Sequence, residues 1–393
     1  MIPVAEALAR VLALAKPLPA EAVPLAQAAG RVLAADALAL RDQPPFAAAA
    51  MDGYAVAGEV RPGQVLRVTG TAQAGAAFAG RVGAGEAVRI FTGAPVPEGT
   101  TRIVIQEDVV RDGDRITLQE GLDAGPHVRP RGFDFAAGYR HAAPRRLKPA
   151  DLALLAAMNC AAPVCARRPE LALIATGDEL VMPGEAPGPD QIVASNLFAL
   201  KAMAEAEGAR VRLLPIARDT EAALAEVLAL AEGADVVATI GGASVGDHDL
   251  VARVAGARGL ERAFYKIAMR PGKPLMAGRL GNAVMLGLPG NPVSAIVCGH
   301  LFLLPLLRAL QGLPDPGPTL RRARLARDLG PNGPRAHYMR AKLTPAEGLP
   351  RIDPFAGQDS ALLVPLAAAD ALLVRPIGEG PRAAGDEVDY IPL

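Results

Sequence analysis

The segment 287–294, Gly-Leu-Pro-Gly-Asn-Pro-Val-Ser, joins two strongly apolar runs and has the residue types of an anion-binding turn. Residues 283–286 before it are typical of a short buried strand, and residues 293–310 after it carry apolar side chains at helical spacing. Asn291 is suited to the N-cap of this helix, with a proline at the first helical position. The next two backbone amides then lack a partner within the helix, and the Ser294 hydroxyl adds a donor for an oxyanion. An ordinary strand-to-helix turn is the alternative interpretation.

Four more groups of polar residues and glycines follow predicted strands. In an open α/β sheet, ligands bind at the carboxyl ends of the strands. We therefore expect these groups to line one site together with segment 287–294. The groups are Thr176-Gly177-Asp178-Glu179 after strand 171–175, Arg218-Asp219 after strand 211–214, the loop 241–249 after strand 235–240, and Met269-Arg270-Pro271-Gly272-Lys273 after Ile267.

The loop 241–249 combines glycines with two carboxylates. Gly241 and Gly242 allow the backbone amides to turn toward an anion, although the spacing is neither that of a P-loop nor that of a dinucleotide fold. Asp247 and Asp249 could reach one hard cation, and magnesium with bridging phosphate oxygens suits such a pair. A solvated glycine-rich turn is the alternative.

Three cations, Lys266, Arg270 and Lys273, lie close together on a segment stiffened by prolines. An arginine offers a planar fork and a lysine a point charge, so this set suits phosphate or a tetrahedral oxyanion. A charged surface loop is the alternative.

The N-terminal third carries further candidate residues. Asp52 stands in an apolar setting before a glycine, Thr92 stands at a glycine turn, and Asp134 follows two arginines, Arg129 and Arg131. A β module with acids placed in this way is suited to act as a lid or partner surface for the site of another domain. Structural turns are the alternative for each.

The elements that must position these residues differ along the chain. Residues 1–40 are alanine-rich and predict helix, interrupted around Pro17-Leu18-Pro19, whereas residues 45–140 alternate short apolar runs with glycine turns, as in a small all-β module. A helix is predicted over 149–158. From 169 to 312 strands and helices alternate, which predicts a doubly wound α/β domain with a mostly parallel sheet. The last 75 or so residues suggest a small β-barrel or sandwich.

Composition excludes several classes of protein. The 41 basic and 41 acidic residues give a net charge of +0, so no global field recruits nucleic acid. Three cysteines without CxxC spacing indicate a reduced, cytoplasmic protein, and five scattered histidines argue against a zinc site. We expect no signal peptide and no apolar, uncharged stretch long enough to span a membrane.

Six motifs in order resemble the MoeA family, the molybdopterin molybdenumtransferases that insert molybdenum into the pterin dithiolene cofactor. The resemblance covers nearly the whole chain. The motifs are Ala-Met-Asp-Gly-Tyr-Ala at 50–55, Thr-Gly-Ala-Pro at 92–95, Thr-Gly-Asp-Glu-Leu at 176–180, Gly-Gly-Ala-Ser-Val-Gly-Asp at 241–247, Arg-Pro-Gly-Lys-Pro at 270–274 and the segment 287–294.

The resemblance implies a multidomain α/β plus β subunit. A small mixed domain, discontinuous over 1–44 and 139–168, would flank a β-rich inserted domain at 45–138. A three-layer α/β/α domain like that of the pterin adenylyltransferases of the MogA type would span 169–314, with a mostly parallel sheet and the molybdopterin site. A C-terminal β-barrel would span 315–393.

The resemblance also implies the chemistry and the assembly. The substrates would be adenylylated molybdopterin and molybdate, and the products molybdenum-bound molybdopterin and AMP, with Mg²⁺ as cofactor. The family is a homodimer whose cleft lies between the α/β domain of one subunit and the β-rich domain of the other. Transient contact with a MogA-type adenylyltransferase and with molybdoenzymes is compatible with this role, whereas nucleic acid and membranes are not expected partners.

The resemblance assigns roles to individual residues. The catalytic set would be Asp52, Thr92 and Asp134 from the β-rich side and Glu179, Asp219, Asp249, Lys266 and Arg270 from the α/β side. Molybdopterin and its phosphate would be held by Thr176, Gly177, Gly241, Gly242, Ser244, Gly246, Pro289, Gly290 and Asn291. Molybdate would be bound by Arg270, Lys273 and Ser294, and magnesium by Asp178, Asp247 and Asp249.

This chain departs from the family pattern at a few positions. Ala50 and Ala175 stand where the family often has serine, Phe133 replaces the usual acid beside Asp134, and His248 lies between two aspartates. A pterin adenylyltransferase, a non-catalytic scaffold or carrier, and a paralogue specialised for tungstate are the alternative functions. The β domains and the absence of a long Ser/Pro-rich linker favour the transferase.

Overall fold

A computed structural model describes residues 1–242 and 250–393 of the chain. Four residues of the predicted site, Ser244, Gly246, Asp247 and Asp249, lie outside the described residues.

The N-terminal region begins with the helix Val4–Leu14, and the helical prediction for residues 1–40 is wrong beyond it. Prolines interrupt the segment after this helix, and its alanine-rich remainder satisfies its backbone by pairing with distant segments. One four-stranded sheet results, accompanied by the helix Pro149–Ala157, which confirms the prediction over 149–158. The sheet strands are Ala20–Ala22, Val164–Ala166, Val32–Leu33 and Arg145–Arg146, and Ala37–Leu38 pairs separately with Arg140–His141.

The β-rich region contains a six-stranded sheet, as the alternating pattern predicted. Its apolar residues form two clusters, one on each face of the sheet. A two-stranded ribbon, Ala48–Ala49 with Val128–Arg129, brings the segment before Asp134 close to the start of the region. The sheet strands, in spatial order, are Arg102–Ile105, Gly53–Val56, Glu86–Ile90, Val65–Ala72, Arg115–Leu118 and Val109–Asp112.

The α/β region has three layers around a second six-stranded sheet, which confirms the predicted class. The first four strands in spatial order are parallel, the fifth is antiparallel to the fourth, and the sixth is antiparallel to the fifth. The helices Glu221–Leu230 and Leu250–Ala257 pack on one face, and Asn196–Ala206 and the helix after residue 291 pack on the other. The strands are Arg210–Leu213, Glu170–Ala175, Val236–Ile240, Ala283–Leu288, Met276–Leu280 and Glu261–Tyr265.

One helical run, Pro292–Leu310, crosses the interior of this region and confirms the predicted long helix. It is long and apolar enough to span a membrane, with a mean hydropathy of 1.9, so the expectation that no stretch had this character was wrong. However, 78% of an 18-residue stretch of this helical run is buried, because it packs against the sheet and the neighbouring helices. A π-helical turn, Gly299–Leu303, lies just before Pro305, which has no amide to continue the regular ladder.

The C-terminal region is a closed five-stranded β-barrel, the first of the two predicted alternatives. The strand Ala336–Thr344 pairs with both of its neighbours, which closes the sheet. A short strand of the α/β region, Met269–Arg270, adds to the barrel in parallel and joins the two regions. The barrel strands are Arg321–Leu325, Arg351–Pro354, Ala336–Thr344, Ala371–Arg375 and Glu387–Pro392. The bounds of the four predicted domains stay predictions.

Candidate active site

A cavity of about 700 Å³ lies at the carboxyl edge of the α/β sheet. The register places Ala175 beside Ile240 and Ile240 beside Leu288, so the loops that follow the three strands leave the sheet side by side. This alignment is why segments far apart in the sequence meet at one site. The predicted residues that line the cavity are Thr176, Gly177, Glu179, Asp219, Gly241, Gly242, Pro289, Gly290, Asn291 and Ser294.

Two glycines that line the cavity have no room for a side chain. Gly241 has φ +94°, and a Cβ there would lie 2.7 Å from the carbonyl oxygen of Thr176. Gly242 has φ +65°, and its Cβ would lie 2.6 Å from a methyl group of Val251. Only glycine fits both positions, so the loop can approach a ligand with its amides unobstructed.

An acidic rim borders the cavity. Glu179 and Asp219 both line it, and the Asp219 amide donates to Asp178 Oδ1 at 3.1 Å. The Arg218 guanidinium donates to the carbonyl oxygens of Asp178 at 3.0 Å and Leu180 at 3.2 Å, which ties the two loops together. The structure therefore brings the predicted Asp178, Glu179 and Asp219 to one edge.

The donor set at this rim is compatible with a hard cation. Carboxylate oxygens are the protein ligands that Mg²⁺ prefers, and the ion commonly keeps several waters and substrate phosphate oxygens. Within residues 1–242 and 250–393 no group of three acids, histidines or cysteines could hold a metal by itself. Asp178 is the one predicted magnesium ligand within the described ranges.

The N-terminus of the helix Pro292–Cys298 is only partly available to a ligand. Asn291 occupies the cap position, as predicted, but its Nδ2 donates to Ser360 Oγ at 2.9 Å. The Val293 amide donates to the Ser360 carbonyl oxygen at 3.1 Å, so the prediction that this amide is free was wrong. The C-terminal region covers the helix end and satisfies that donor. Ser294, only 4% exposed, still lines the cavity.

Sequence reasoning missed the residues that complete this wall. Ala361, next to Ser360, lines the cavity. Arg340, 1% exposed, holds the loop that carries both residues by donating to the carbonyl oxygens of Leu362 at 3.0 Å and Gly357 at 3.3 Å. Burial lowers the pKa of Arg340, and Asp359 opposes that shift. No local sequence signal connects this barrel arginine to a cavity in another region.

The three predicted cations, Lys266, Arg270 and Lys273, are not among the described residues that line the cavity. Pro274 lines the cavity, directly after Lys273. The Lys266 Nζ lies 4.9 Å from the centre of the Tyr265 ring. Arg270 is exposed on the short strand that joins the barrel, in register with His337. Burial and then the charge of Arg270 are the largest causes that lower the pKa of His337 to about 3.

The β-rich region carries the other predicted catalytic residues, of which Thr92 and Asp134 are exposed and Asp52 is half-buried. Asp52 Oδ1 accepts hydrogen bonds from the Thr92 amide and the Thr92 hydroxyl, both at 2.7 Å. These two bonds lower the pKa of Asp52, and the charge of Arg89 contributes less. The Arg89 guanidinium lies 5.1 Å from the centre of the Tyr54 ring and 4.7 Å from that of Phe91. Asp52 is therefore held as an anion in a fixed orientation.

Asp134 lies in a second cavity of about 610 Å³ in the same region. Gly93 also lines this cavity. Thr92 precedes Gly93 in the chain and is hydrogen-bonded to Asp52, so this pair lies near the cavity. The remaining lining residues are Gln43, Pro44, Pro45, Phe46, Ala48, Arg129 and Phe133.

Of the predicted catalytic residues that the structure describes, Glu179 and Asp219 line the first cavity and Asp134 lines the second, with Asp52 and Thr92 near it. The described lining of the first cavity comes from the α/β region and Ala361, and that of the second comes from residues 43–134. Among the described residues, none lines both cavities.

Comparison with known families assigns almost the whole chain. Residues 2–159 match the MoeA N-terminal region (domains I and II), residues 172–309 match a probable molybdopterin-binding domain, and residues 322–393 match the MoeA C-terminal region (domain IV).

Individual relatives agree with this assignment. The chain is 35% identical to a molybdopterin molybdenumtransferase of Nostoc sp., over 95% of this chain and 88% of the relative. It is 37% identical to one of Haemophilus influenzae, over 75% of this chain and 74% of that relative. A crystal structure of a molybdopterin biosynthesis MoeA protein from Pyrococcus horikoshii superposes with a TM-score of 0.81 at 30% identity, covering 100% of this chain and 99% of the other. The chain belongs to the MoeA family of molybdopterin molybdenumtransferases.

Proposed function

We propose that this chain transfers molybdenum from molybdate to adenylylated molybdopterin and releases AMP. The observation that carries the proposal is the cavity at the carboxyl edge of the α/β sheet, where the motif residues of four chain segments converge. Its volume is in the range of small-molecule sites, and its glycine floor is suited to a phosphate-bearing ligand.

The chain's own residues would act mainly by positioning and by charge. The loop at Gly241 and Gly242 would hold the substrate phosphates, and Arg270, Lys273 and Ser294 would hold molybdate, a tetrahedral dianion. Breaking the phosphoanhydride bond between AMP and molybdopterin then requires an ordered arrangement in which the developing charge on the phosphate oxygens is neutralised.

We also propose that this site binds magnesium. Asp178, with Asp247 and Asp249, would hold the ion, which when bound would neutralise charge on the phosphate oxygens. Glu179 and Asp219 lie at the same rim, where they would orient the bound ligands.

A homodimer would complete the site. Asp52, Thr92 and Asp134 of one subunit would face the α/β cavity of the other, which accounts for a catalytic set divided between two separate surfaces. Cytoplasmic location and transient contacts with a MogA-type adenylyltransferase and with molybdoenzymes stay predictions.

The direct test is AMP release from adenylylated molybdopterin with Mg²⁺, measured with and without molybdate. We expect molybdate to stimulate AMP release and the product to activate an apo-molybdoenzyme. Pterin binding without AMP release under any condition would instead indicate a scaffold or carrier. Competition between molybdate and tungstate tests specialisation, and equal affinities would exclude a tungstate-specific paralogue.

A further inference from the structure

The second cavity, in the β-rich region, has walls suited to a flat ring. Phe133 is 65% exposed and Phe46 is 40% exposed, and both line the cavity. Covering the faces of a large aromatic side chain is favourable. Two exposed phenylalanines at one cavity are therefore a surface suited to stacking.

The same cavity carries two charged side chains that pair with no described side chain. Nearby acids and arginines are paired: Arg131 with Asp42, and Arg140 with Asp36. By contrast, across the described ranges, neither the Arg129 guanidinium nor the Asp134 carboxylate has a side-chain hydrogen bond or ion pair. A free cation and a free anion therefore border the aromatic walls.

This combination matches one class of ligand. An arginine binds phosphate through its planar fork, aromatic faces stack on a heteroaromatic ring, and a carboxylate accepts hydrogen bonds from ring amines or sugar hydroxyls. We propose that the second cavity binds a heteroaromatic phosphate, with the ring on Phe46 and Phe133 and the phosphate at Arg129.

The substrate of the proposed reaction offers this chemistry at both of its ends, in the adenosine phosphate and in the pterin phosphate. The inference rests on the proposed function for the identity of the ligand. Its test is a binding measurement without molybdate or turnover, so it can fail while molybdate-stimulated AMP release is observed, and it can succeed when that release is absent.

The experiment is isothermal titration of the full chain with AMP and, in a second arm, with neopterin monophosphate. We expect Phe133→Ala and Arg129→Ala each to weaken binding of one of these probes by about tenfold, the size of one lost stacking or phosphate contact. Weaker binding of AMP by the variants would assign the adenosine end of the substrate to this cavity. Weaker binding of neopterin monophosphate would assign the pterin end to it.

Two matched variants control for surface effects. Phe198→Ala removes another exposed phenylalanine, and Arg115→Ala removes another exposed arginine of the β-rich region; neither residue lines either cavity as described. Both should bind like the wild type. Unchanged binding of both probes in Phe133→Ala and Arg129→Ala, with melting temperatures equal to the wild type, would overturn the proposal, as would wild-type protein that binds neither probe.

Discussion

The two surfaces that carry the predicted catalytic residues differ in how firmly the fold builds them. The α/β cavity is formed by backbone: its loops leave three strands held in register, and Thr176 and Val251 leave no room for a Cβ at its glycines. The β-rich surface instead presents side chains on exposed turns, with the Asp52–Thr92 pair as its fixed element. The comparison shows one surface that the backbone preforms and one that presents side chains on turns. Under the proposed function, the groups of the second surface would act when a ligand or a second subunit covers them.

Asp52→Ala should have the largest effect and should separate activity from stability. Asp52 contributes an oriented carboxylate on a turn, so its loss should lower molybdate-dependent AMP release by at least about 100-fold. The melting temperature should stay near that of the wild type. Asp112→Ala, at an exposed aspartate of the same region, is the control and should retain activity. Wild-type turnover by Asp52→Ala would show that the role assigned by resemblance is wrong.

A pair of glycine variants compares the two surfaces through stability. Gly241 and Gly93 both have positive φ, +94° and +81°, but only at Gly241 would a Cβ meet neighbouring atoms within 4 Å. Gly93→Ala should lower the free energy of unfolding by about 1 kcal/mol from backbone strain alone. Gly241→Ala should lower it by about 2 kcal/mol or more, because Thr176 must also move. Urea denaturation measures both, and equal losses would mean that the α/β cavity is less rigid than described.

Arg270→Ala should weaken the binding of one substrate more than that of the other. Removing the guanidinium should weaken molybdate binding by about tenfold and pterin binding by less, since the planar fork suits the oxyanion. Arg115→Ala changes the net charge equally and should leave both affinities unchanged. A larger effect on the pterin than on molybdate would exchange the two proposed subsites.

The free energy of unfolding should fall modestly in acid because of His337, at the junction between the α/β region and the barrel. Burial and the charges of Arg270, Arg375, Arg340 and Arg335 lower the pKa of His337 from 6.5 to about 3. The unfolded chain therefore binds a proton between these values that the folded chain does not, so stability is complete above pH 6.5 and falls as the pH drops toward 3. The loss should be about 1 kcal/mol between pH 7 and pH 5.5.

A variant at the same position isolates this contribution. His300, whose pKa burial lowers to about 4, acts in the same direction and remains in the variant. His337→Gln should therefore have a shallower dependence of the free energy of unfolding on pH than the wild type. Identical slopes would mean that His337 is protonated to the same extent in both states.

The sequence predicted the α/β layers and most of the first cavity because strand periodicity is local and ligands gather at the carboxyl ends of parallel strands. It could not predict that Ser360 would cover the helix end at Val293, or that Arg340 would hold that loop, because these contacts join segments far apart in the chain. The helical prediction for residues 1–40 failed beyond Leu14 for a related reason: pairing with distant strands outweighed the helix propensity of alanine.

The most direct test of the division between two subunits is a mixed dimer of Asp52→Ala and Glu179→Ala. Each variant alone should be inactive, because every site lacks one side of its catalytic set. Random mixing should restore about a quarter of wild-type AMP release, since half of the dimers would then have one intact site out of two. No recovery, with mixed dimers demonstrated by affinity tags, would contradict a site shared between subunits.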